Sequence, residues 1–368
     1  MYIYQRRGWP QFKWDKDTLS ILLASVRHKQ GRLIGLMQGL GFPLKTEAIL
    51  QTLTQDVLKS NEIEGEILDK EKVRSSIARR LRIDAGGLVT TDKQVEAVVD
   101  ILIDATQNFD APLTESRLFL WHGFLFKDTP GGANKITVAN WRDHTSGPMQ
   151  VVSGALGREI VHFEAPEALA VDAEMHHFIN WFNDSHTDID PVIKAGIAHL
   201  WFVTIHPFDD GNGRIARTIA DMQLTRADGT FQRFYSMSVQ IRKERNNYYN
   251  ILEKTQKGDL DITEWLVWFL KCLDGALTTS EDTLSGILKK ARYWEWFAQK
   301  KISERQKLML NKLLDGFEGK LTSSKWAKIT KSSHDTALRD IQALIDQEVL
   351  LKENSGGRST NYILKNIP

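Results

Sequence analysis

The chain has 368 residues, 42% of them hydrophobic, which is enough for two or three globular domains with ordinary cores. Its 48 basic and 47 acidic residues leave a net charge of +1, so no general preference for a polyanionic partner follows. The single cysteine, Cys272, excludes an intramolecular disulfide and a cysteine-based zinc cluster. Because neither a membrane-length apolar run nor an apolar signal segment occurs, we expect a soluble, cytoplasmic protein without membrane association.

Residues 1–112 are predicted to form a helical N-terminal region. Apolar residues recur at helical spacing in four segments, the first of which has Asp17 and Thr18 as candidate capping residues. A break containing Gly41 follows the first helix, and Gly86-Gly87 begin a loop before the fourth. The second helix is predicted over 46–59, and it is followed by Ser60-Asn61-Glu62-Ile63-Glu64-Gly65.

Residues 113–277 form the predicted central region. After a first helix and a loop over 128–148, two β-like runs at 149–153 and 158–163 predict a hairpin, with a turn over 154–157. The helix over 191–205 is apolar around most of its circumference and should therefore be the central buried helix. Further helices are predicted over 171–183 and 263–277.

The strongest chemical signal directly follows the buried helix, in residues 206–217, His-Pro-Phe-Asp-Asp-Gly-Asn-Gly-Arg-Ile-Ala-Arg. The imidazole of His206 can accept a proton near neutral pH, and Asp210 offers the hard oxygen ligands that Mg²⁺ prefers. Gly211 and Gly213 flank Asn212, so the backbone can turn sharply and approach an anion closely. These residues indicate a phosphate-binding loop with its own base.

A helix is predicted to begin at about Asn212, because apolar residues recur at helical spacing after it. Its first N–H groups and the positive end of its dipole would then face the bound anion. Arg214 and Arg217 lie three residues apart, on one side of the first turn, as guanidinium donors for the same charge.

Residues 206–217 resemble the signature of the Fic family, H-x-F-x-[DE]-G-N-G-R-x-x-R, at every position. The resemblance implies a protein adenylyltransferase, in which His206 takes the proton from a serine, threonine or tyrosine hydroxyl of a target protein. It also implies that ATP is the substrate, that Asp210 binds Mg²⁺, and that the loop and its arginines hold the ATP phosphates. Glycine at 213 favours nucleotidyl transfer, since the related Doc branch, which phosphorylates, has lysine there.

Two further segments resemble parts of the same family. The adenine pocket of the family is similar to the set Tyr248, Tyr249, Leu252 and Gln256, although aromatic residues at helical spacing are also common in ordinary cores. The hairpin over 149–163 looks like the family's flap, to which a target segment adds as a strand. Its docking residues would be Val151, Val152 and Ser153. An ordinary exposed hairpin is the alternative.

The pattern Ser60-x-x-x-Glu64-Gly65 resembles the inhibitory motif that precedes the core in one class of Fic proteins. The resemblance implies that Glu64 pairs with Arg217 and occupies space that the γ-phosphate needs, so that ATP binds unproductively. Activation of water by Glu64, which would remove AMP from target proteins, is the alternative role.

Residues 278–302 are predicted to be a connector helix, and 303–368 a separate domain. Three helices followed by strands at 350–353 and 361–364 describe a winged helix-turn-helix. Arg339 in its recognition helix and Arg358 in its wing tip could meet DNA phosphates, but that helix also carries acidic residues at 335, 340 and 346. We therefore expect a protein-contact or regulatory role rather than sequence-specific DNA binding.

These patterns predict a mainly α protein with a Fic-type helical core, a β-hairpin flap and a C-terminal winged helix-turn-helix domain. The predicted function is auto-inhibited transfer of AMP from ATP to protein hydroxyls. Candidate partners are ATP, target proteins, the chain itself through auto-modification, a second copy in a homodimer, and DNA through the C-terminal domain. The alternatives are removal of AMP and a nucleotide-sensing DNA-binding regulator; the intact His206 favours the enzyme, because a sensor would need no base.

Overall fold

The computed structural model describes residues 1–39, 42–83, 88–126, 136–144, 147–154, 157–314, 317, 319–353 and 360–366. The chain folds mainly into helices, as predicted, and forms two compact units, Met1–Glu281 and Asp282–Pro368. Several predicted features lie outside the described residues: Gly41, Gly86-Gly87, parts of the 128–148 loop (128–135 and 145–146), the centre of the hairpin turn, and the wing tip with Arg358.

The first unit begins with a short 3-10 turn and then has five helices before its hairpin. The helices are α1 (Lys16–Gln38), α2 (Phe42–Ile63), α3 (Lys70–Arg80), α4 (Lys93–Gln107) and α5 (Glu115–Phe126). The hairpin strands are β1 (Gln150–Ser153) and β2 (Ile160–Glu164). The later helices are α6 (Ala168–Asn183), α7 (Pro191–Ile205), α8 (Asn212–Asp228), α9 (Met237–Lys243), α10 (Arg245–Gln256) and α11 (Thr263–Phe297), of which α11 extends into the second unit.

Helix α7 is the centre of the first unit, and every residue from Val192 to Ile205 is buried. Its apolar surface on all sides explains this position, because a helix that is hydrophobic all round must be covered by neighbours. Helix α8 packs along it, and α11 approaches it closely at Gly196, where an added Cβ would lie 3.0 Å from Leu266 Cδ2. The indole of Trp265 donates to the Gly196 carbonyl at 2.8 Å. This packing fixes the end of α7, where the site begins.

Helices α2, α3 and α4 share a second apolar core, which includes Leu53, Val73 and Val99. The sequence predicted that α2 ends near residue 59, but it continues through Ile63. Ile63 is completely buried, and its carbonyl accepts from Arg245 Nε at 2.7 Å, so packing extends the helix beyond its apolar repeat. The backbone then turns at Gly65, whose φ is +90°.

Two further predicted helix boundaries are wrong. The cap of α1 is Asp15 rather than Asp17 and Thr18; its carboxylate accepts from both of their N–H groups, at 2.9 and 3.3 Å. The separate helices expected over 263–277 and 278–302 are one helix, α11. At the expected junction, Thr278 and Ser280 donate to carbonyls four residues earlier, at 2.9 and 3.0 Å, so these polar residues continue the helix instead of ending it.

The hairpin is a two-stranded antiparallel sheet with an irregularity. Val151 is opposite Phe163 but Val152 is opposite Val161, so His162 is the extra residue of a β-bulge. Phe163 is buried beneath the sheet, whereas Val152 is 47% exposed. A bulge re-aims the side chains around it, and here it lies beside the cavity described below.

The second unit contains the end of α11 and the helices α12 (Glu304–Leu314), α13 (Ser323–Thr330) and α14 (His334–Asp346). The strands β3 (Leu350–Glu353) and β4 (Asn361–Leu364) pair in antiparallel register after them. Trp326, Ile341 and Leu344 belong to its apolar core. Across the described parts of both units, none of the helices has the length and apolar character needed to cross a membrane.

Candidate functional site

A cavity of about 490 Å³ opens in the first unit where α7 ends and α8 begins. The hairpin, helix α10 and the residue that follows α2 complete its walls. Most of the predicted site residues line it: Glu64, Val151, Val152, Ser153, His206, Asp210, Gly211, Asn212, Gly213, Tyr248, Tyr249, Leu252 and Gln256. Ser60, Arg214 and Arg217 are not among the lining residues; Arg214 pairs with Glu66, and Arg217 contacts both Ser60 and Glu64.

His206 terminates α7 in a left-handed conformation, with φ of +52°. Its Nδ1 lies 3.0 Å from the Val203 carbonyl, and a carbonyl can only accept, so Nδ1 carries the hydrogen. Nε2 is therefore left with the lone pair. Burial lowers the pKa of His206 to about 4, which keeps the ring neutral near pH 7. The structure thus leaves His206 in the form that accepts a proton.

The loop between α7 and α8 is held from within. The amide of Asn212 accepts from Phe208 N at 3.0 Å and donates to Phe208 O at 2.7 Å, which closes a tight ring. The Phe208 ring is fully buried and stacks on His122 with a centroid distance of 4.2 Å. Gly211 has φ of +80°, and a Cβ there would lie 2.8 Å from the Phe126 ring, so glycine is required.

Arg142, which the sequence reasoning missed, supports this loop from the side. Its Nε donates to the His206 carbonyl at 2.8 Å, and its backbone N–H donates to the Pro207 carbonyl at 2.9 Å. Arg142 is nearly fully buried, so its bonds fix the peptide that follows α7. It comes from an irregular segment without hydrophobic periodicity, so no local pattern indicated its role.

The two neighbouring carboxylates of the loop have different surroundings. Asp209 accepts from the Thr137 N–H at 2.8 Å and is half-buried. Asp210 is exposed, and its Oδ1 accepts from the following amide of Gly211 at 2.6 Å. The other carboxylate oxygen, Oδ2, has no hydrogen bond or ion pair with the described residues. Of the two acids, Asp210 is the one with oxygen available to a ligand.

Arg217 is buried and is held by the acidic segment after α2. Its Nη2 lies 2.8 Å from Glu64 Oε1 and 2.9 Å from the Ser60 carbonyl, and its Nε donates to Ser60 Oγ at 3.0 Å. Its Nη1 is buried without a hydrogen-bond partner among the described residues. Such a donor is costly to leave unsatisfied, so Arg217 retains capacity for a further acceptor.

A second ion pair lies beside the first, and the sequence reasoning missed it. Arg214 Nη1 lies 2.9 and 3.0 Å from the two carboxylate oxygens of Glu66, and its guanidinium lies over the Phe126 ring at 5.2 Å. Glu64 and Glu66 therefore each pair with one arginine of α8.

Glu64 also comes into close contact with the loop itself. A Cβ built on Gly213 would lie 2.6 Å from Glu64 Oε1. Real Cβ atoms do not approach an oxygen so closely, so a side chain at 213 would displace the Glu64 carboxylate. Glycine at 213 therefore accommodates both the turn and the acid.

Helix α10 supplies the opposite wall. The Tyr248 hydroxyl lies 2.8 Å from His199 Nε2, and burial raises the pKa of Tyr248. The pKa of His199 is lowered to about 3 by burial, so the imidazole is neutral. Gln256 Nε2 lies 3.4 Å from Thr204 Oγ1, and Arg245 lies over the Tyr249 ring at 5.0 Å. The four predicted adenine-pocket residues, Tyr248, Tyr249, Leu252 and Gln256, all line the cavity from this helix.

A line of polar side chains crosses from the hairpin to α10. Ser153 Oγ lies 2.6 Å from His162 Nε2, and His162 Nδ1 lies 2.8 Å from Glu253 Oε2. A hydrogen bond from Lys257, with further help from His162, lowers the pKa of Glu253 below its ordinary range. The sequence predicted Ser153 as a docking residue but neither His162 nor Glu253 as a site residue. Residues this far apart in the chain gave no sequence signal for their contact.

A neutral histidine beside a glycine loop at a helix N-terminus, with two arginines behind it, defines an anion-binding site with a proton acceptor. Residues 112–224 match the model of the Fic/DOC family, so this part of the chain is a Fic/DOC domain, as the signature predicted. Residues 2–83 match a second model, described as Domain of unknown function (DUF4172).

Individual relatives agree with this assignment. A stretch of 87 residues is 37% identical to the protein adenylyltransferase Fic of Drosophila yakuba. The match covers 23% of this chain and 16% of that protein. The chain therefore spans about a sixth of the length of this relative. A Fic family protein from Desulfovibrio desulfuricans G20 has a TM-score of 0.55 at 18% identity, covering 95% of this chain and 97% of its own. A Fic domain containing signaling protein from Bacteroides thetaiotaomicron VPI-5482 has a TM-score of 0.50 at 21% identity, covering 74% and 96%. At these identities the two structures show the fold.

Proposed function

We propose that the chain is a protein adenylyltransferase, which transfers AMP from ATP to a serine, threonine or tyrosine hydroxyl and releases pyrophosphate. The observation that carries the proposal is the neutral His206, whose Nε2 lone pair is free beside the N-terminus of α8. The hydroxyl gives its proton to Nε2 while its oxygen forms a bond to the α-phosphorus. The bond from the α-phosphorus to the bridging oxygen breaks, and pyrophosphate leaves with that electron pair.

The loop contributes mainly position and charge. The N–H groups at the start of α8 and the guanidinium groups of Arg214 and Arg217 provide donors for phosphate oxygens. Such fixed donors stabilise charge where it develops, because they need no reorganisation during the reaction. The adenine would lie against α10, among Tyr248, Tyr249, Leu252 and Gln256.

Asp210 fits the Mg²⁺ that accompanies ATP. It is exposed, lines the cavity and has a carboxylate oxygen available, and such hard oxygen ligands suit this cation. When bound, Mg²⁺ would neutralise phosphate charge. Asp209 is less suited, since it already fixes the Thr137 amide.

Glu64 would keep the enzyme inhibited. Its carboxylate lines the cavity and already pairs with Arg217, so the γ-phosphate would compete with it for the same guanidinium. The same position supports a second candidate function, in which Glu64 activates water and the protein removes AMP from targets. A base close to the α-phosphate would serve that hydrolysis.

The proposal is tested with the Glu64→Gly variant, a cell lysate, and ATP labelled at either the α- or the γ-phosphate. We expect label on proteins from α-labelled ATP and none from γ-labelled ATP, with release of pyrophosphate. Transfer of the γ-label would instead mean phosphorylation and would contradict the proposal. Loss of AMP from pre-labelled proteins with wild-type chain, and not with Glu64→Gly, would favour AMP removal.

The pH profile provides a separate prediction. Because the pKa of His206 is about 4, about nine-tenths of this base is neutral at about pH 5, whereas an ordinary histidine of pKa ~6.5 would be only a few per cent neutral. We expect the Glu64→Gly labelling rate to vary little between about pH 8 and pH 5.5 and to fall below pH 5. A midpoint near 6.5 would contradict the neutral buried base.

The lowered pKa of His206 also makes the stability of the fold depend on pH. The folded pKa of His206 lies below the unfolded one, so its contribution to folding is present above about pH 6.5 and is lost as the pH falls towards 4. Circular dichroism at each pH therefore accompanies the rate measurement. It separates loss of the base from loss of the fold.

The hairpin would dock target segments through backbone hydrogen bonds. Within the described residues β1 has one strand neighbour, β2, so its other edge can pair with an added strand. Val152→Pro should impair labelling of other proteins but leave ATP affinity nearly unchanged, because proline lacks the N–H donor. Val152→Ala is the matched control and should behave like wild type. Equal loss of ATP affinity in the proline variant would indicate general damage to the fold instead.

For the second unit we propose a winged helix-turn-helix, formed by α12 to α14 and the sheet of β3 and β4. Asp340 of α14 is held by Arg305 at 2.9 and 3.1 Å, and Asp335 and Asp346 lie on the same helix. These acids weaken a DNA-facing role for α14, so contact with proteins or regulation is the better proposal. A mobility-shift assay with genomic fragments tests it, and specific retardation would contradict it.

A further inference from the structure

The line of side chains from Ser153 to Glu253 is arranged as a nucleophile, a base and an orienting acid. Three different elements, β1, β2 and α10, contribute one residue each, with contacts of 2.6 and 2.8 Å. The ionised carboxylate of Glu253 accepts the Nδ1–H of His162, which leaves Nε2 to accept the proton of the Ser153 hydroxyl. The pair of contacts thus fixes the imidazole tautomer that activates a hydroxyl.

The position of this group gives it access to a reactant. Ser153 is exposed, and the side chains of His162 and Glu253 are each 33% exposed, so water could satisfy all three groups. Part-exposed contacts of this kind add little to stability, which makes a purely structural role a weak explanation. The bulge at His162 supports a functional one, since bulges often direct side chains beside active sites.

The group shares its cavity with the phosphate loop. Ser153, His162 and Glu253 line the same 490 Å³ space as His206 and Gly211. Among the described lining residues, the other hydroxyls are those of two tyrosines, Tyr248 and Tyr249. Burial raises the pKa of both phenols, and the Tyr248 hydroxyl, which contacts His199 Nε2, belongs to a buried side chain, whereas Ser153 is exposed.

We propose that Ser153 is itself an acceptor of AMP, in the same chain, with His162 as its base and Glu253 as the positioning residue. This inference rests on the proposed AMP transfer and names one of its substrates. Ser153 Oγ forms a bond to the α-phosphorus of ATP, and its proton passes to His162 Nε2. The bond from the α-phosphorus to the bridging oxygen breaks, pyrophosphate leaves, and a serine–AMP phosphodiester remains.

The experiment follows AMP on individual peptides of the full-length Glu64→Gly chain by mass spectrometry, after incubation with ATP and Mg²⁺. We expect AMP on the peptide that contains Ser153, at a fractional rate that does not change when the chain is diluted. Ser153→Ala in the same background should remove that modification. Ser185→Ala, which changes an exposed serine outside the cavity lining, is the matched control and should retain it.

Glu253→Gln tests the positioning role. A glutamine can donate to Nδ1 and favour the wrong imidazole tautomer, so the rate of Ser153 modification at saturating ATP should fall by ~10²-fold or more. The ATP concentration for half-maximal rate should stay the same. If the contact is only structural, Glu253→Gln will leave the rate unchanged, or will alter both the rate and the ATP concentration for half-maximal rate. Either result would overturn the positioning role.

The outcomes separate this inference from the proposed function. Label on lysate proteins or on other residues of the chain, with Ser153 unmodified, overturns the inference and leaves the proposed function standing. Modification of Ser153 that accelerates with chain concentration overturns its intramolecular form. Absence of label on every protein overturns both proposals together.

Discussion

Replacing Glu64 by glycine should raise labelling of proteins from α-labelled ATP by about 5–150-fold, which corresponds to a shift of about 1–3 kcal/mol in the competent population. The reason is the 2.8 Å contact between Glu64 Oε1 and Arg217 Nη2 inside the cavity wall. Without this carboxylate, the guanidinium can bind the γ-phosphate, and the α-phosphate can align with the acceptor. The unpartnered Nη1 of Arg217 provides a second donor for the same anion.

The variant should also change stability in a characteristic way. Arg217 is fully buried, so loss of Glu64 leaves a charge with fewer partners, and the melting temperature without ATP should fall. ATP should then stabilise Glu64→Gly more than wild type, because it replaces the missing acceptor. Thermal unfolding with and without ATP measures both effects.

Glu62→Ala is the matched control for this prediction. Glu62 pairs with Lys59 at 2.7 Å and with Arg242 at 3.5 Å, both part-exposed, and not with the loop arginines. Its removal should leave labelling near the wild-type rate. Arg217→Ala should be inactive with or without Glu64. If Glu64→Gly labels no faster than Glu62→Ala, the inhibition model is wrong.

His206→Ala, made in the Glu64→Gly background, should lower the labelling rate by ~10²–10⁴-fold while ATP binding persists. The base is lost, but the loop stays closed, since Asn212 and Phe208 hold it through their own hydrogen bonds. ATP binding is measured by thermal shift, and labelling with α-labelled ATP. His186→Ala, which changes an exposed histidine outside the cavity lining, is the control and should keep the parent rate. Parent-like labelling by His206→Ala would show that another group is the base.

The local parts of this fold could be predicted because their signals lie within a few residues of one another. The apolar repeat and the flanking residues located α7 at 191–205, and the glycine turn located the start of α8 at Asn212. The strands β3 and β4 were predicted at their observed bounds for the same reason. Short-range periodicity and turn chemistry decide such boundaries.

The remainder depends on contacts between distant segments. Glu66 meets Arg214 across 148 positions, and His162 meets Glu253 across 91, so no spacing in the sequence indicates either pair. The extension of α2 to Ile63 depends on a bond from Arg245, 182 positions away. Tertiary contacts of this kind override local propensity, and a single sequence does not encode them in any readable period.

Arg245 gives the two ends of the cavity a thermodynamic connection. Its Nε holds the Ile63 carbonyl, one residue before Glu64, while its guanidinium lies over the ring of Tyr249. An adenine stacked near Tyr249 and the Glu64 carboxylate paired with Arg217 would therefore both affect the side chain of Arg245. Thermodynamic linkage makes this coupling mutual. If release of the end of α2 changes nucleotide affinity by some factor, nucleotide binding changes the equilibrium for that release by the same factor. Adenine analogues without phosphates would then change how firmly Glu64 is held against Arg217, through Arg245.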